Sequence, residues 1–94
     1  MRAVSATTTS DLTLVDANAI VLGASNVGGA LSVTARGISQ TGALTVAGTS
    51  TFTIDTALNE DVLLAGFNND FTGAVNIATV NGATLRDVAL RNIN

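Results

Sequence analysis

Gly29-Ala30-Leu31-Ser32-Val33 returns with small changes as Gly42-Ala43-Leu44-Thr45-Val46 and again as Gly73-Ala74-Val75-Asn76-Ile77. Each copy is a glycine followed by alternating apolar and polar residues, the pattern of a short strand with one buried face. Working outward, the same alternation marks Leu12/Leu14, Ile20/Leu22, Phe52/Ile54, Val62/Leu64 and Leu85 with Leu90 as strand candidates. Between them lie residues that suit tight corners: Gly23, Asn26-Val27-Gly28-Gly29, Gly37, Gly48, Gly66, Asn68-Asn69-Asp70 and Asn81-Gly82. No segment carries a helical stripe, and residues 57–65, the nearest approach, read as a loop plus a strand. A second echo joins Thr13-Leu14-Val15-Asp16-Ala17 to Thr84-Leu85-Arg86-Asp87-Val88. Repetition on these scales points to a stacked, quasi-one-dimensional fold.

Short strands at this spacing suit an antiparallel sandwich or a parallel β-helix. The columns decide between them. Leu14, Val33, Ile54 and Val75 step by about 20 residues, and so do Leu22, Leu44, Leu64 and Leu85. A common period in two columns is expected when each coil sets a like residue above the last, and a sandwich has no reason to keep it. The expected fold is therefore all-β, a right-handed parallel β-helix (β-solenoid) of roughly four to five coils. At ~4.8 Å between stacked strands the rod is about 20 Å tall. Residues 1–10 read as a polar lead-in and residues 11–94 as a single solenoid segment. Both ends are expected to show unpaired backbone above an apolar interior, with no capping helix, proline or charge cluster. Asn81-Gly82 is a dissenting signal, since between Val80 and Ala83 it suits a two-residue hairpin as well as a solenoid corner.

The composition agrees with a narrow interior. Apolar residues make up 47% of the 94, yet there are three Phe and no Trp or Tyr, so small and β-branched side chains must fill the core. Stability cannot draw on disulfides or a Cys/His zinc site, because the chain has no Cys and no His. Charged residues are 12% with a net charge of −3, and there is no Lys. This argues against nucleic acid as a partner, which calls for a basic face and stacking aromatics. No apolar run has the length of a membrane helix, and the first ten residues lack the apolar stretch of a signal peptide.

The order of phrases in residues 37–52, from Gly37-Ile38-Ser39-Gln40 to Thr51-Phe52, resembles the repeat shafts of filamentous-haemagglutinin-like exoproteins. So do Asn68-Asn69-Asp70-Phe71-Thr72-Gly73-Ala74-Val75 and the two Thr-Leu-x-Asp phrases. The resemblance covers most of the chain from Asp11 onward. It implies a right-handed β-helix exported by two-partner or autotransporter secretion to the bacterial surface. The 71-residue spacing from Thr13 to Thr84 implies one long repeat and part of the next, a slice of a longer array. A shorter likeness, Asn18-Ala19-Ile20-Val21-Leu22-Gly23-Ala24-Ser25, is to head repeats of trimeric autotransporter adhesins.

The acidic residues Asp11, Asp16, Asp55, Glu60, Asp61, Asp70 and Asp87 are the candidates for chemistry. Paired carboxylates serve glycoside hydrolysis or calcium binding. Here most stand singly at expected corners, and only Glu60-Asp61 are adjacent. Asp16 and Asp87 hold matching places in the long echo, which favours a corner hydrogen bond for both. Without His, Cys or Lys none of the usual nucleophile–base pairs forms. The glycine-rich run Gly23–Gly29 lacks the Lys-Ser/Thr of a phosphate loop and reads as a turn. Thr34, Thr53 and Thr56 come nearest to an outward hydroxyl ladder of the kind that binds polysaccharide or ice. Phe67 and Phe71 around Asn68-Asn69-Asp70 suit either an exposed contact loop or rings inside the coil with Asn at a corner. The sequence thus assigns no catalytic, cofactor-binding or metal-ligating residue. It favours a non-enzymatic shaft segment of a secreted, adhesin-like surface protein, stacked end to end on flanking repeats or neighbouring copies, with a host or cell-surface receptor or glycan as a further partner. The alternatives are a self-assembling fibre subunit and, third, a carbohydrate-binding β-helix module.

Overall fold

A computed structural model describes residues 3–55, 59–80, 82 and 84–93. Among the described residues, thirteen short strands wind as a three-sided coil. The first coil holds β1 (Ala3–Val4), β2 (Thr7–Thr8) and β3 (Leu12–Val15). The second holds β4 (Ile20–Leu22), β5 (Ser25–Val27) and β6 (Leu31–Ala35), and the third β7 (Ile38–Gln40), β8 (Leu44–Val46) and β9 (Ser50–Asp55). The fourth holds β10 (Asn59–Leu64), β11 (Asp70–Phe71) and β12 (Val75–Val80), and β13 (Thr84–Leu90) opens a fifth. Strands stack into three sheets in the orders β1-β4-β7-β10-β13, β2-β5-β8-β11 and β3-β6-β9-β12, called faces one, two and three. Every pairing is parallel. This is a right-handed β-solenoid of just over four coils, as the sequence led one to expect.

Parallel sheets are ordinarily covered on both faces. Here each has one face against the other two sheets and one in solvent, and the alternation follows directly. On β6 and β9 every second residue is buried: Leu31, Val33 and Ala35, then Ser50, Phe52 and Ile54. Like residues stack from coil to coil as Leu14–Val33–Phe52–Ile77 on face three and Ile20–Ile38–Val62–Val88 on face one. Face two adds Thr8–Val27–Val46–Phe71. The Phe52 and Phe71 rings meet edge to face across the interior, with centroids 6.1 Å apart at 76°. Fully burying such a side chain contributes roughly 1.5–3 kcal/mol. On the inward face of β9, Ser50 is polar: it is fully buried and its hydroxyl has no partner.

Faces were easier to read than phase. Leu12, Leu31 and Ser50 are 19 residues apart, whereas Ser50 to Val75 is 25. The uniform period of about 20 therefore slips. Phe52, not Ile54, lies next to Val33, and Ile77, not Val75, follows it. Leu44 lies on face two rather than in a column with Leu22 and Leu64, and Leu85 pairs with Glu60 while Leu90 pairs with Leu64. Of the three Gly-Ala phrases, those at Gly29 and Gly73 lead into face three, but that at Gly42 leads into face two. Thr13 and Thr84 also part company, on faces three and one, so their echo does not mark one position in successive coils. Five two- and three-residue strands were not marked by alternation, among them Ser25–Val27 inside the glycine-rich run read as a turn. Ala3–Val4 and Thr7–Thr8, within the expected lead-in, pair with β4 and β5. Asn81 lies outside the described residues. Because β12 and β13 belong to different sheets, the passage through Gly82 (φ 75°) is a corner and not a hairpin.

The slip arises mainly between faces three and one, where Leu12 to Leu22 is 10 residues and Leu31 to Gln40 is 9, but Ser50 to Leu64 is 14. From face two to face three the passage has one length throughout: Thr8 to Leu12, Val27 to Leu31, Val46 to Ser50 and Phe71 to Val75. From face one to face two it lengthens by one residue per coil: Val4 to Thr8, Leu22 to Val27, Gln40 to Val46 and Leu64 to Phe71. Three of the four turns at the constant corner carry a glycine, at Gly29, Gly48 and Gly73, where the first has Ser10. Gly48 donates to the Gly29 carbonyl at 2.9 Å. A Cβ on Gly48 would stand 2.8 Å from that carbonyl's carbon and oxygen, so stacked backbones leave no room for a side chain. Gly66, on the variable corner, has nothing within 4 Å of a Cβ. Gly48→Ala is expected to destabilise by about 1–3 kcal/mol. Gly66→Ala should be neutral or stabilising by ~0.5 kcal/mol, through the unfolded chain. Paired urea titrations check both, and equal losses would show that stacking does not set the requirement.

Candidate functional site

The polar groups singled out in the sequence are dispersed by the winding. Asp11 Oδ1 accepts from the Ala30 N–H at 2.8 Å, tying one corner to the next coil. Asp16 Oδ1 accepts from the Asn18 N–H at 3.0 Å within its own corner. Asp87 sits in β13, where its N–H donates to Asp61 Oδ1 at 3.2 Å, so the proposed equivalence of Asp16 and Asp87 fails. The cause is again the different faces of the two phrases. Among the described residues no three Asp, Glu, His or Cys side chains converge in a way that would hold a metal ion.

Charge gathers on face one instead. Arg86 grips Asp61 with two hydrogen bonds, Nε to Oδ1 at 3.0 Å and Nη2 to Oδ2 at 2.8 Å. Arg36 reaches Glu60 at 3.7 Å. The Arg86 hydrogen bonds hold the Asp61 carboxyl below its ordinary range, against a lesser upward pull from partial desolvation. Because the folded pKa is depressed, the stabilisation is present above the unfolded pKa and is lost as pH falls through the folded one. Arg86→Ala should raise the Asp61 midpoint in an NMR titration and destabilise only slightly at neutral pH, less still in salt. An unchanged midpoint would show that the pair is not formed in solution. Adjacent Glu60 and Asp61 thus each face an arginine, an arrangement that braces successive coils.

Two open depressions mark the surface. One, of about 250 Å³, lies on face two and is lined by Thr7, Ala24, Ser25, Asn26, Ala43 and Thr45. The other, of about 150 Å³, runs beside Ser39, Glu60, Asp61 and Leu63 on face one. No titratable residue lines the first, and in the second Asp61 is held by Arg86 and Glu60 lies 3.7 Å from Arg36. Thr34 and Thr53 are neighbours in an outward row, Val15–Thr34–Thr53–Ala78, while Thr56 lies outside the described residues. Sequence reading missed the parallel row Thr13–Ser32–Thr51–Asn76, because three residue types share it and the coil length changes along it.

The longest corner carries the most connected side chain. Asn69 is fully buried while Phe67 stays half-exposed and Phe71 fills the interior. Asn69 Oδ1 accepts from the Leu44 N–H at 2.9 Å and from Gln40 Nε2 at 2.8 Å. Its Nδ2 donates to the carbonyls of Leu64 at 2.8 Å and Arg91 at 3.1 Å, and to Gln40 Oε1 at 3.2 Å. One amide therefore clasps three successive coils, a role that the Asn-Asn-Asp run did not disclose.

At the upper end of the winding the edges of β12 and β13 are unpaired, and Val80, Val88, Leu90 and Ile93 are exposed. Part of that end is covered: the Asn92 side chain accepts from the Phe71 N–H at 3.1 Å and donates to the Phe71 carbonyl at 3.2 Å, as a further strand would. At the lower end Val15 is 76% exposed. No curated protein and no solved structure gives a significant match to the chain. A family model does match, over residues 9–78, which run from just before β3 into β12 and take in the stacked coils described above; by that match the chain belongs to the family of repeats of unknown function (DUF5649).

Proposed function

We propose that this chain is a non-enzymatic shaft segment of a secreted, adhesin-like bacterial surface protein. The observation that carries the reading is the set of three parallel ladders running from coil to coil. Like residues stack inside, and the outside offers open depressions rather than an enclosed pocket. Membership of a repeat family supports it, since such units act by length and presented surface. Secretion and surface location rest on the resemblance to haemagglutinin-like shafts. An antibody raised against the 94-residue unit should label intact source cells; labelling only after permeabilisation would defeat the surface reading.

A second reading, a self-assembling fibre subunit, draws on Val80, Val88, Leu90 and Ile93 exposed beside unpaired strand edges. Exposed edges template pairing with another chain. Light scattering of the isolated chain should then rise steeply with concentration, and a strictly monomeric species at the highest concentration reached would remove this reading.

A further inference from the structure

The larger surface depression spans three coils of face two. Thr7 on β2 pairs with Asn26 on β5, and Asn26 with Thr45 on β8, so the three form one column across it. All three are exposed, and Thr45 points outward between the buried Leu44 and Val46. The corners arriving from face one contribute Ala24 and Ala43. A Cβ on Gly42 would collide with Ala24, so these two corners stack backbone on backbone, with only methyl groups lining that side.

What the depression can bind follows from which of its groups are already engaged. The Ser25 hydroxyl is used: it donates to the Gly23 carbonyl at 3.1 Å and accepts from the Ala6 N–H at 3.1 Å. Thr7, Asn26 and Thr45 have no side-chain partner among the described residues. They offer two hydroxyls and an amide, groups that both donate and accept. No ionisable residue lines the depression, and the column first meets one at Asp70, the neighbour of Thr45 on β11. A charged ligand therefore finds no counter-charge. An extended peptide finds no free main chain either, because β5 is already bonded to β2 on one side and β8 on the other, which closes the strand-addition route. The remaining match is a ligand that is uncharged and rich in hydroxyls. The three levels span about 10 Å, two ladder spacings, which is the run of a disaccharide. A volume of about 250 Å³ lies below the roughly 300–1,000 Å³ of a drug-sized site, so the depression takes a short stretch of chain and leaves the rest in solvent.

We propose that this depression binds a neutral, linear polysaccharide laid along the rod, with Asn26 at the centre and Thr7 and Thr45 hydrogen-bonding on either side. Such binding goes beyond the shaft role and depends on neither export nor assembly. One open site of this kind binds weakly, and repeated units on a single glycan chain gain by avidity.

NMR titration of the isotope-labelled 94-residue chain tests it, with cellohexaose, xylohexaose, mannohexaose and N-acetylchitohexaose as neutral probes and hexagalacturonate as the acidic control. At least one neutral hexamer should shift the backbone resonances of Ala24, Asn26 and Thr45, while Ser32 and Thr51 on face three stay in place. Asn26→Ala and Thr45→Val should each weaken that binding about 3–10-fold, the loss of one hydrogen bond. Both side chains are exposed and unpartnered, so the urea midpoint should hold and the loss is read on folded protein. Ser32→Ala, on face three, should leave the affinity as it was. Silence from all four neutral hexamers, shifts confined to another face, or a response to hexagalacturonate as strong as to any neutral probe would overturn the proposal. Binding that survives both Asn26→Ala and Thr45→Val undiminished would do the same.

Discussion

Replacing Phe52 with alanine is expected to cost about 3–5 kcal/mol of folding stability, a large part of the total available to a domain this small. The ring is fully buried in the column between Val33 and Ile77, and its edge-to-face contact with Phe71 joins face three to face two. Truncation removes that contact and leaves a void. The flanking strands cannot close it, because each is fixed at ladder spacing to the coils above and below. Phe52→Leu keeps most of the volume and should cost under about 1.5 kcal/mol. Phe67→Ala, at a half-exposed position, should change stability by no more than about 0.5 kcal/mol. Urea unfolding followed by circular dichroism distinguishes the three. A loss at Phe52 no greater than at Phe67 would mean that the interior is not packed as described.

The contrast between the two rings shows what the sequence could and could not convey. Period-two alternation carries the inward and outward sense of a strand, because successive side chains point to opposite sides. That is why Leu31/Val33, Phe52/Ile54 and Val62/Leu64 were legible. It carries nothing about which coil level a strand occupies. Leu22 and Leu44 are chemically alike and differ only in face, which depends on how many residues the intervening corners absorb. Those corners lengthen one residue at a time on one edge and stay constant on another. Short strands such as Ser25–Val27 are formed by the neighbours they stack on rather than by their own propensity, so local reading sees only turn-forming residues. The site was less legible still. A row such as Thr13–Ser32–Thr51–Asn76 exists only once the register is known. The buried asparagine was hidden by its company, since Asn68-Asn69-Asp70 has the composition of a solvated turn.

Asn69→Ala should be about as damaging as the loss of the core ring, for a different reason. It leaves the buried Leu44 N–H without its partner, while the Leu64 carbonyl keeps only the Arg91 N–H and Gln40 Nε2 only the Gly42 carbonyl. An unpaired buried group costs about 1–3 kcal/mol and the void left by the amide adds to it, so a loss of about 3 kcal/mol is expected. Gln40→Ala should cost less, and the double variant less than the sum, with a coupling of about 0.5–3 kcal/mol. Asn69→Asp separates hydrogen bonding from packing, because its shape is unchanged. One oxygen can still accept from Leu44 and Gln40, but the other would face the carbonyls of Leu64 and Arg91 and Gln40 Oε1, all acceptors. Burial and these neighbours disfavour the charged form, so the folded pKa lies above the unfolded value near ~3.9. Such a group is tolerated best below the unfolded pKa, and stability is lost as pH rises through the folded one. The variant should therefore approach the parent's denaturation midpoint at about pH 4 and fall well below it at about pH 7. A deficit that does not change with pH would mean that the carboxyl reaches water and that the three-coil clasp opens in solution.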